Sequence, residues 1–402
     1  MSRPVSALVI GGGIAGAVAA TALRLAGIGA EVHEAYRDPG DGVGGSLAIA
    51  ANGLAALDLL GVGDAVRAVG LRIERTRMTV GGRDLGTLPQ LAGVEPMRMV
   101  RRGDLHCVLR DRAVAAGAEF RYGSRLTGVE ERPSGITARF DDGSTATADV
   151  LVGADGVRST VRTLIDPANP GPRYTGLLSF DGDVPAEVAF DGMTFAFGRR
   201  AYSLYWPEPG GRVVWGANLP SREYLSLKTA RAIPAEHWLD VLRATYAGDD
   251  PAGMLAERTT PETLGITGAI HIMPPVPRWW RGRMVLVGDA VHAPSNSTGQ
   301  GASLAIESAV ELARCLRDLP EPADAFAAYE RLRRARVEGI ARRGARINST
   351  KTPGPVARRV MQLVMPPLFK RMDPERSMGP ELRHRIDWAA AVPMPEPVRA
   401  SA

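Results

Sequence analysis

The chain has 402 residues but only two cysteines, Cys107 and Cys315, and three lysines, Lys228, Lys351 and Lys370. Two cysteines without a C-x-x-C pair give neither a disulfide framework nor a zinc-type ligand set, so no metal is expected. No uninterrupted apolar run reaches about 18 residues, which leaves no sequence candidate for a membrane span. The apolar N-terminus is punctuated by glycine, lacks a proper basic n-region, and does not read as a signal peptide. The expected setting is a reducing cytoplasm. Aromatics are scarce at 5%, so their clustering is informative. The formal charge of +5 rests almost wholly on arginine. The arginines between Arg331 and Arg346 have no interleaved aromatics and read as the solvated face of a helix, which argues against a nucleic-acid partner.

Glycine is plentiful and placed with purpose. Val5 to Ile10 is a short apolar run, the pattern of a buried parallel strand. Gly11, Gly13 and Gly16 follow as G-x-G-x-x-G, with Ile14 and Ala15 between the last two. Gly11 permits the tight turn, Gly13 lets backbone approach a pyrophosphate, and Gly16 lets the helix lie close to the strand. Ala15 to Ala26 reads as that helix, whose N-terminus offers unpaired N–H groups and a positive dipole end. Ala30 to Glu34 reads as the second strand, with Glu34 placed to accept hydrogen bonds from a ribose. Strand, turn, helix and terminal acid in register point to a dinucleotide site at the start of the chain.

Farther on, a Gly/Asp-rich loop spans Asp38 to Gly45, and a helix is expected from Asn52 to Leu60. Leu71 to Leu88 alternates around Gly81-Gly82, a hairpin pattern. Arg102 to Ala116 reads as a helix, and His106 and Cys107 on it read as packing or surface residues. Strands are expected over Ala118–Gly123, Leu126–Glu130, Ile136–Phe140, Ser144–Ala148 and Val150–Gly153. Pro167 to Pro172 is a proline/glycine joint. Beyond it, Phe195, Phe197, Tyr202, Tyr205, Trp206 and Trp215 lie in alternating runs, which suggests an antiparallel sheet. Helices are expected over Ala302–Leu316 and Ala323–Ala345, and the tail after Thr352 ends loosely from Ala391.

Two further segments repeat the first one's design of a strand feeding a sharp turn with Gly and an acid. They are Val150–Gly153 running into Asp155-Gly156-Val157-Arg158, and Met284–Val287 running into Gly288-Asp289-Ala290-Val291-His292. Singly, each acid could be a helix N-cap. As an ordered set with Gly11–Glu34, they resemble the class A flavoprotein monooxygenases, which share the fold of para-hydroxybenzoate hydroxylase. The resemblance covers roughly residues 5 to 345. It implies an α/β fold with a Rossmann-like FAD-binding domain, an inserted antiparallel-sheet substrate domain and C-terminal helices. The expected FAD domain is discontinuous, over 1–70, 91–172 and 274–345; 71–90 and 173–273 form the substrate domain, and 346–402 the tail.

The resemblance also implies roles. FAD lies with its adenosine at Glu34 and its pyrophosphate over Gly13–Gly16. Arg102 steadies the ribityl and phosphate part, Asp289 bonds a ribityl hydroxyl, and Asp155 contacts both FAD and the nicotinamide donor. Arg158 and Arg162 are expected to contact the phosphates of NAD(P)H. Gly299, Gln300, Gly301 and Ala302 open a helix whose N-terminus faces the flavin's pyrimidine edge. His292 is expected to be structural. The substrate pocket is expected against the aromatic sheet, at Phe197, Tyr205 and Trp215. The implied reaction uses NAD(P)H and O₂, through a flavin C4a-(hydro)peroxide, to oxygenate an aromatic or polycyclic small molecule. A non-oxygenating flavin dehydrogenase, reductase or halogenase, and an FAD-binding protein without catalysis, are the alternatives. The chain departs from the family in three places: Ser295 and Asn296 stand where a proline is usual, Val291 replaces an alanine, and Ser308 replaces the Asp of Glu-Asp-Ala.

Overall fold

The computed structural model describes residues 5–39, 44–348, 351 and 354–393. Part of the Gly/Asp-rich loop (40–43) and the chain end from 394 lie outside the described residues. The first layer is a six-stranded sheet in the order Trp280–Arg281, Met284–Leu286, Val150–Gly153, Ser6–Ile10, Gly29–Glu34, Glu119–Tyr122. All neighbours run parallel except the edge pair Trp280–Arg281 with Met284–Leu286. Ser6–Ile10 is central and almost fully buried, as its unbroken apolar run requires. Both neighbours follow it in the chain but lie on opposite sides, Gly29–Glu34 on one and Val150–Gly153 on the other, so the strand order reverses there. That makes its carboxyl end a topological switch point, where open α/β sheets bind ligands.

Helix Ile14–Leu25 follows the first strand, and Gly301–Asp318 packs against it. The approach is close because Gly288, at φ +60°, sits where a Cβ would come within 2.6 Å of Ala15 Cβ. Helix Pro322–Asn348 packs on Gly301–Asp318 in turn. The first helix turn begins at Ile14 and the later one at Gly301, a residue before each expected start.

The second layer is a seven-stranded sheet ordered Leu264–Ile272, Arg173–Pro185, Arg212–Pro220, Tyr202–Glu208, Met193–Phe197, Thr76–Val80, Arg83–Thr87. Its last two strands come from the segment around Gly81-Gly82, both of which have positive φ. One face, here the far face, is covered by helices Leu227–Ala232, Ala235–Tyr246 and Ala252–Arg258. The near face meets a small sheet of Ser46–Ile49, Arg98–Arg101 and Leu71–Arg72 through Met99, Ile73, Met193, Trp206 and Val214. Farther along, helix Pro355–Arg371 covers the near face through Phe369 and Met365. Among the described residues, no helix is long and apolar enough to cross a membrane, and no cluster of His, Cys, Asp or Glu could hold a metal ion.

Candidate functional site

The three motif glycines do different work. A Cβ on Gly11, at φ +102°, would lie 2.5 Å from the Ala154 carbonyl oxygen, so glycine lets the first and second segments touch. A Cβ on Gly16 would strike the Gly11 carbonyl oxygen, which fixes helix against turn. A Cβ on Gly13 would meet nothing within 4 Å. Gly13 therefore keeps bare backbone facing open space at the N-terminus of the first helix, a cradle suited to a pyrophosphate.

Glu34 ends the second strand beside that turn. Its carboxylate accepts from the Gly12 N–H at 2.7 Å and the Tyr36 N–H at 2.9 Å. Two backbone donors hold the carboxylate at the loop while leaving it acceptor capacity for a ribose. His106, expected to be a packing or surface residue, instead reaches this turn, with its Nε2 2.8 Å from the Gly12 carbonyl oxygen. The available signal was spacing: His106 is four residues beyond Arg102, on the same helix face.

Ser159, not Asp155, is the N-cap of helix Thr160–Ile165, and Asp155 supports it from the turn before. Its carboxylate accepts from Ser159 Oγ, the Thr160 N–H at 2.7 Å and the Val161 N–H at 3.1 Å. Burial pushes this carboxyl up, and these bonds offset only part of the rise. Arg162 departs from its expected role at the NAD(P)H phosphates. It is buried and donates to Ala290 O at 2.8 Å, Val157 O at 2.9 Å and Asn169 Oδ1 at 3.0 Å. The guanidinium thus fastens the second motif segment to the third, and its donors are spent on that. Arg158 is exposed and bonds the Tyr224 hydroxyl.

Asp289 lies at the cleft with its side chain exposed. The protein crowding around it raises its pKa, and the Arg102 guanidinium lowers it. Arg102 is also exposed, and its backbone N–H donates to Gly45 O at 3.1 Å. A cation and a carboxylate of adjustable geometry thus face each other across the cleft. The loop Ser295–Gly299 closes it, with Gly299 at φ +60°. Gln300 is buried, and its Oε1 accepts from Asn52 Nδ2 at 2.9 Å. Helix Gly301–Asp318 then begins with no acid in its first turn, so its dipole end is uncompensated.

The FAD binding domain family matches residues 4–344 of this chain. The chain belongs to that family. FAD is its cofactor. This flavoprotein is 32% identical over 342 residues to an aurachin C monooxygenase/isomerase of Stigmatella aurantiaca, covering 83% of this chain and 86% of that protein. It is 32% identical over 367 residues to a 3-amino-4-hydroxybenzoate 2-monooxygenase of Streptomyces cremeus, covering 86% and 88%. Among solved structures, Klebsiella pneumoniae HpxO complexed with FAD and uric acid matches with a TM-score of 0.81 at 26% identity, covering 94% and 96%. The α/β architecture and the flavoprotein-hydroxylase resemblance both hold.

On the substrate side, the flavoprotein corrects the expected pocket. Strand register puts Tyr205 opposite Trp215 on the far face. There both are buried under the helices, with Trp215 Nε1 donating to Thr259 Oγ1 at 3.1 Å and its ring against Tyr246. Phe197 is on the near face, but it packs with Tyr202, Val80 and Phe369 beneath helix Pro355–Arg371. None of the three opens onto the Ser295–Gly301 loop. Near-face residues Ser179, Asp181, Leu204 and Asn218 take that direction instead. A cavity of about 250 Å³ lies against Asp181, lined also by Gly45, Ser46, Arg101, Arg212 and Thr263 among others. Burial raises the Asp181 carboxyl, against the pull of Arg101 and Arg231.

His292 is structural. Its Nε2 meets Ser308 Oγ at 2.8 Å, and burial, helped by Arg333, holds its pKa down to about 3. Ser308 also accepts from Arg333 Nε at 3.3 Å. Ser308 thus takes part in a polar cluster with His292 and Arg333.

Proposed function

We infer that this flavoprotein is an NAD(P)H- and O₂-dependent monooxygenase that hydroxylates an aromatic small molecule. The observation that carries this reading is the conjunction of the bare-backbone Gly13 cradle with a second sheet whose near face covers the same cleft. The relatives' activities support it: monooxygenation of aurachin C and of an aminohydroxybenzoate.

The bound FAD supplies the redox chemistry, accepting hydride from NAD(P)H and activating O₂. The chain's part is binding, orientation and exclusion of water. Gly11, Gly13, Ile14, Ala15 and Gly16 would hold the pyrophosphate on backbone N–H groups, and Glu34 would hold the adenosine ribose. Arg102 and Asp289 would flank the ribityl chain, while Asp155 orders the second turn behind it. Gly299, Gln300, Gly301 and Ala302 would present the helix end to the pyrimidine edge, where negative charge gathers on reduction. Arg158, exposed at the rim, is the remaining candidate contact for the donor's phosphates.

The test is direct. Acid-precipitated protein should release FAD, and the holoprotein should consume NAD(P)H faster when an aromatic acceptor is present, with oxygen incorporated into the product. Flavin that NAD(P)H cannot reduce, or reduction that never leads to an oxygenated product with any aromatic acceptor, would overturn the monooxygenase reading.

A further inference from the structure

The near face of the substrate sheet is met by one buried amine. Lys351 follows helix Pro322–Asn348 and is 3% exposed, whereas Lys228 and Lys370 are both exposed. Its Nζ donates to Asn218 Oδ1 at 2.6 Å and to Asn296 Oδ1 at 2.8 Å. It also stands 4.6 Å from the centroid of the Tyr202 ring. Asn218 and Tyr202 are directly opposite each other in the antiparallel pair. Asn296 lies in the loop that closes the cleft, at one of the positions where the family has proline. The Asn218 amide is oriented by donating to Ser179 Oγ at 3.3 Å and Ala217 O at 3.0 Å, which turns its oxygen to the amine.

Among the described residues, no acid pairs with this cation. Burial alone brings its pKa down to about 7, with no charged neighbour contributing. Of the buried arginines, Arg314 and Arg333 each hold a carboxylate at 2.6 Å, whereas Arg162 spreads the donors of its planar fork over three neutral oxygens, which a compact ammonium cannot do. An ammonium held only by neutral oxygens is a poor structural tie, because the charge adds desolvation cost without a compensating ion. One of the amine's two amide partners, Asn296, is itself exposed, so the bonded cluster reaches the surface. In a chain whose other cations are nearly all arginine, a compact ammonium at this spot is the choice for meeting a single oxygen.

We propose that Lys351, supported by Asn218 and Asn296, anchors an anionic oxygen of the aromatic substrate, a carboxylate or an ionised phenol or enol. This rests on the monooxygenase reading above. The anion replaces a neutral amide oxygen with a charge-assisted bond, and the Tyr202 ring forms part of the wall beside it. Asp181 lies on the same sheet face one rung away, opposite Gly216 where Asn218 is opposite Ser179. Its carboxyl disfavours an anion, so the substrate is oriented with its charged end at Lys351 and its neutral end toward Asp181.

The experiment uses the FAD-loaded protein and matched pairs of probes: 3-hydroxybenzoate against 3-hydroxybenzamide, and 2-naphthoate against 2-naphthamide. Flavin difference spectra and calorimetry read binding without turnover. Each carboxylate should bind at least about tenfold more tightly than its amide. Lys351→Met should abolish that preference while keeping FAD content and amide affinity, and Lys351→Arg should keep part of it. Equal affinities in the wild-type protein, no binding by either carboxylate, or equal weakening of acid and amide in Lys351→Met would each overturn the proposal. Should Lys351→Met not fold, the wild-type ratio and Lys351→Arg still decide. Reduction of the bound FAD by NAD(P)H is measured on the same samples. Its failure would sink the monooxygenase reading, whereas its success with a flat acid–amide ratio would sink only the role of Lys351.

Discussion

Arg333 and Lys351 are both buried cations, and they are held in opposite ways. Arg333 pairs with Glu307 at 2.6 Å, with side chains 1% and 0% exposed. Glu307 also takes Arg336 at 2.9 Å and Asn52 Nδ2 at 2.7 Å. Asn52 in turn bonds Gln300 at the helix start, so the ion pair braces the surface offered to the flavin. Lys351 has two amide oxygens and a ring face. A satisfied buried pair tells of architecture, whereas an unmatched buried charge beside a cleft tells of a ligand.

The sharpest way to break the comparison is to unmatch the matched pair. Glu307→Gln leaves Arg333 without its carboxylate and should cost about 3–5 kcal/mol of stability in a denaturant titration. A loss under 1 kcal/mol would mean that water reaches the pair. The two sites should also differ in pH dependence. Burial would raise the Glu307 carboxyl, but Arg333 and Arg336 outweigh it and hold it near 2, against 4.5 unfolded. Its contribution is complete above pH 4.5 and is lost as pH falls toward 2. Lys351 gives a slope of the same direction in a higher window, because burial disfavours its charged form whereas partners favour that of Glu307. Its folded pKa of about 7 lies below the unfolded 10.5, so between those values the unfolded chain binds the extra proton. Stability should therefore rise with pH across that window, and Lys351→Met should flatten the rise.

A third charge places the comparison on the cofactor side. Glu34 is a carboxylate bonded by two backbone N–H groups and half open to a ligand. Glu34→Ala should weaken FAD binding by about 1–3 kcal/mol, the range for a bond to a charged acceptor. Titration of apoprotein followed by flavin fluorescence measures it. Unchanged affinity would place the ribose elsewhere, and a global loss of stability would mean that the Gly12 bond matters more than the ligand.

These charges also show what was legible beforehand. Gly11, Gly13, Gly16 and Glu34 could be read because their work is local, within one strand–turn–helix unit. The face of the aromatic sheet could not. Alternation separates Tyr205 from Trp206, but both faces of this sheet are buried, one under helices and one against the small sheet and helix Pro355–Arg371. Periodicity then has no polar side to mark the outside. Arg162 misled because a guanidinium suits backbone carbonyls as well as phosphates. Lys351 gave no local signal at all, since its partners are 133 and 55 residues away.

The smallest expected effect concerns Ser308, where the family has Asp. Its hydroxyl is shared between His292 Nε2 and Arg333 Nε. His292 is held neutral by burial, with its pKa down to about 3, so Ser308 serves a neutral ring and a cation already paired with Glu307. Ser308→Ala should therefore cost only about 0.5–1.5 kcal/mol, the net worth of ordinary hydrogen bonds. Ser308→Asp should act differently. A second carboxylate would stand beside Glu307, bond the imidazole and favour its protonated form. The His292 resonance in an NMR titration should then move to a pKa well above 3, while the Arg333 pair survives. An unmoved resonance would show that the Ser308 oxygen does not set the state of His292. The histidine would then be held neutral by its apolar surroundings, Trp279 among them, and the departure from the family pattern would carry no electrostatic consequence.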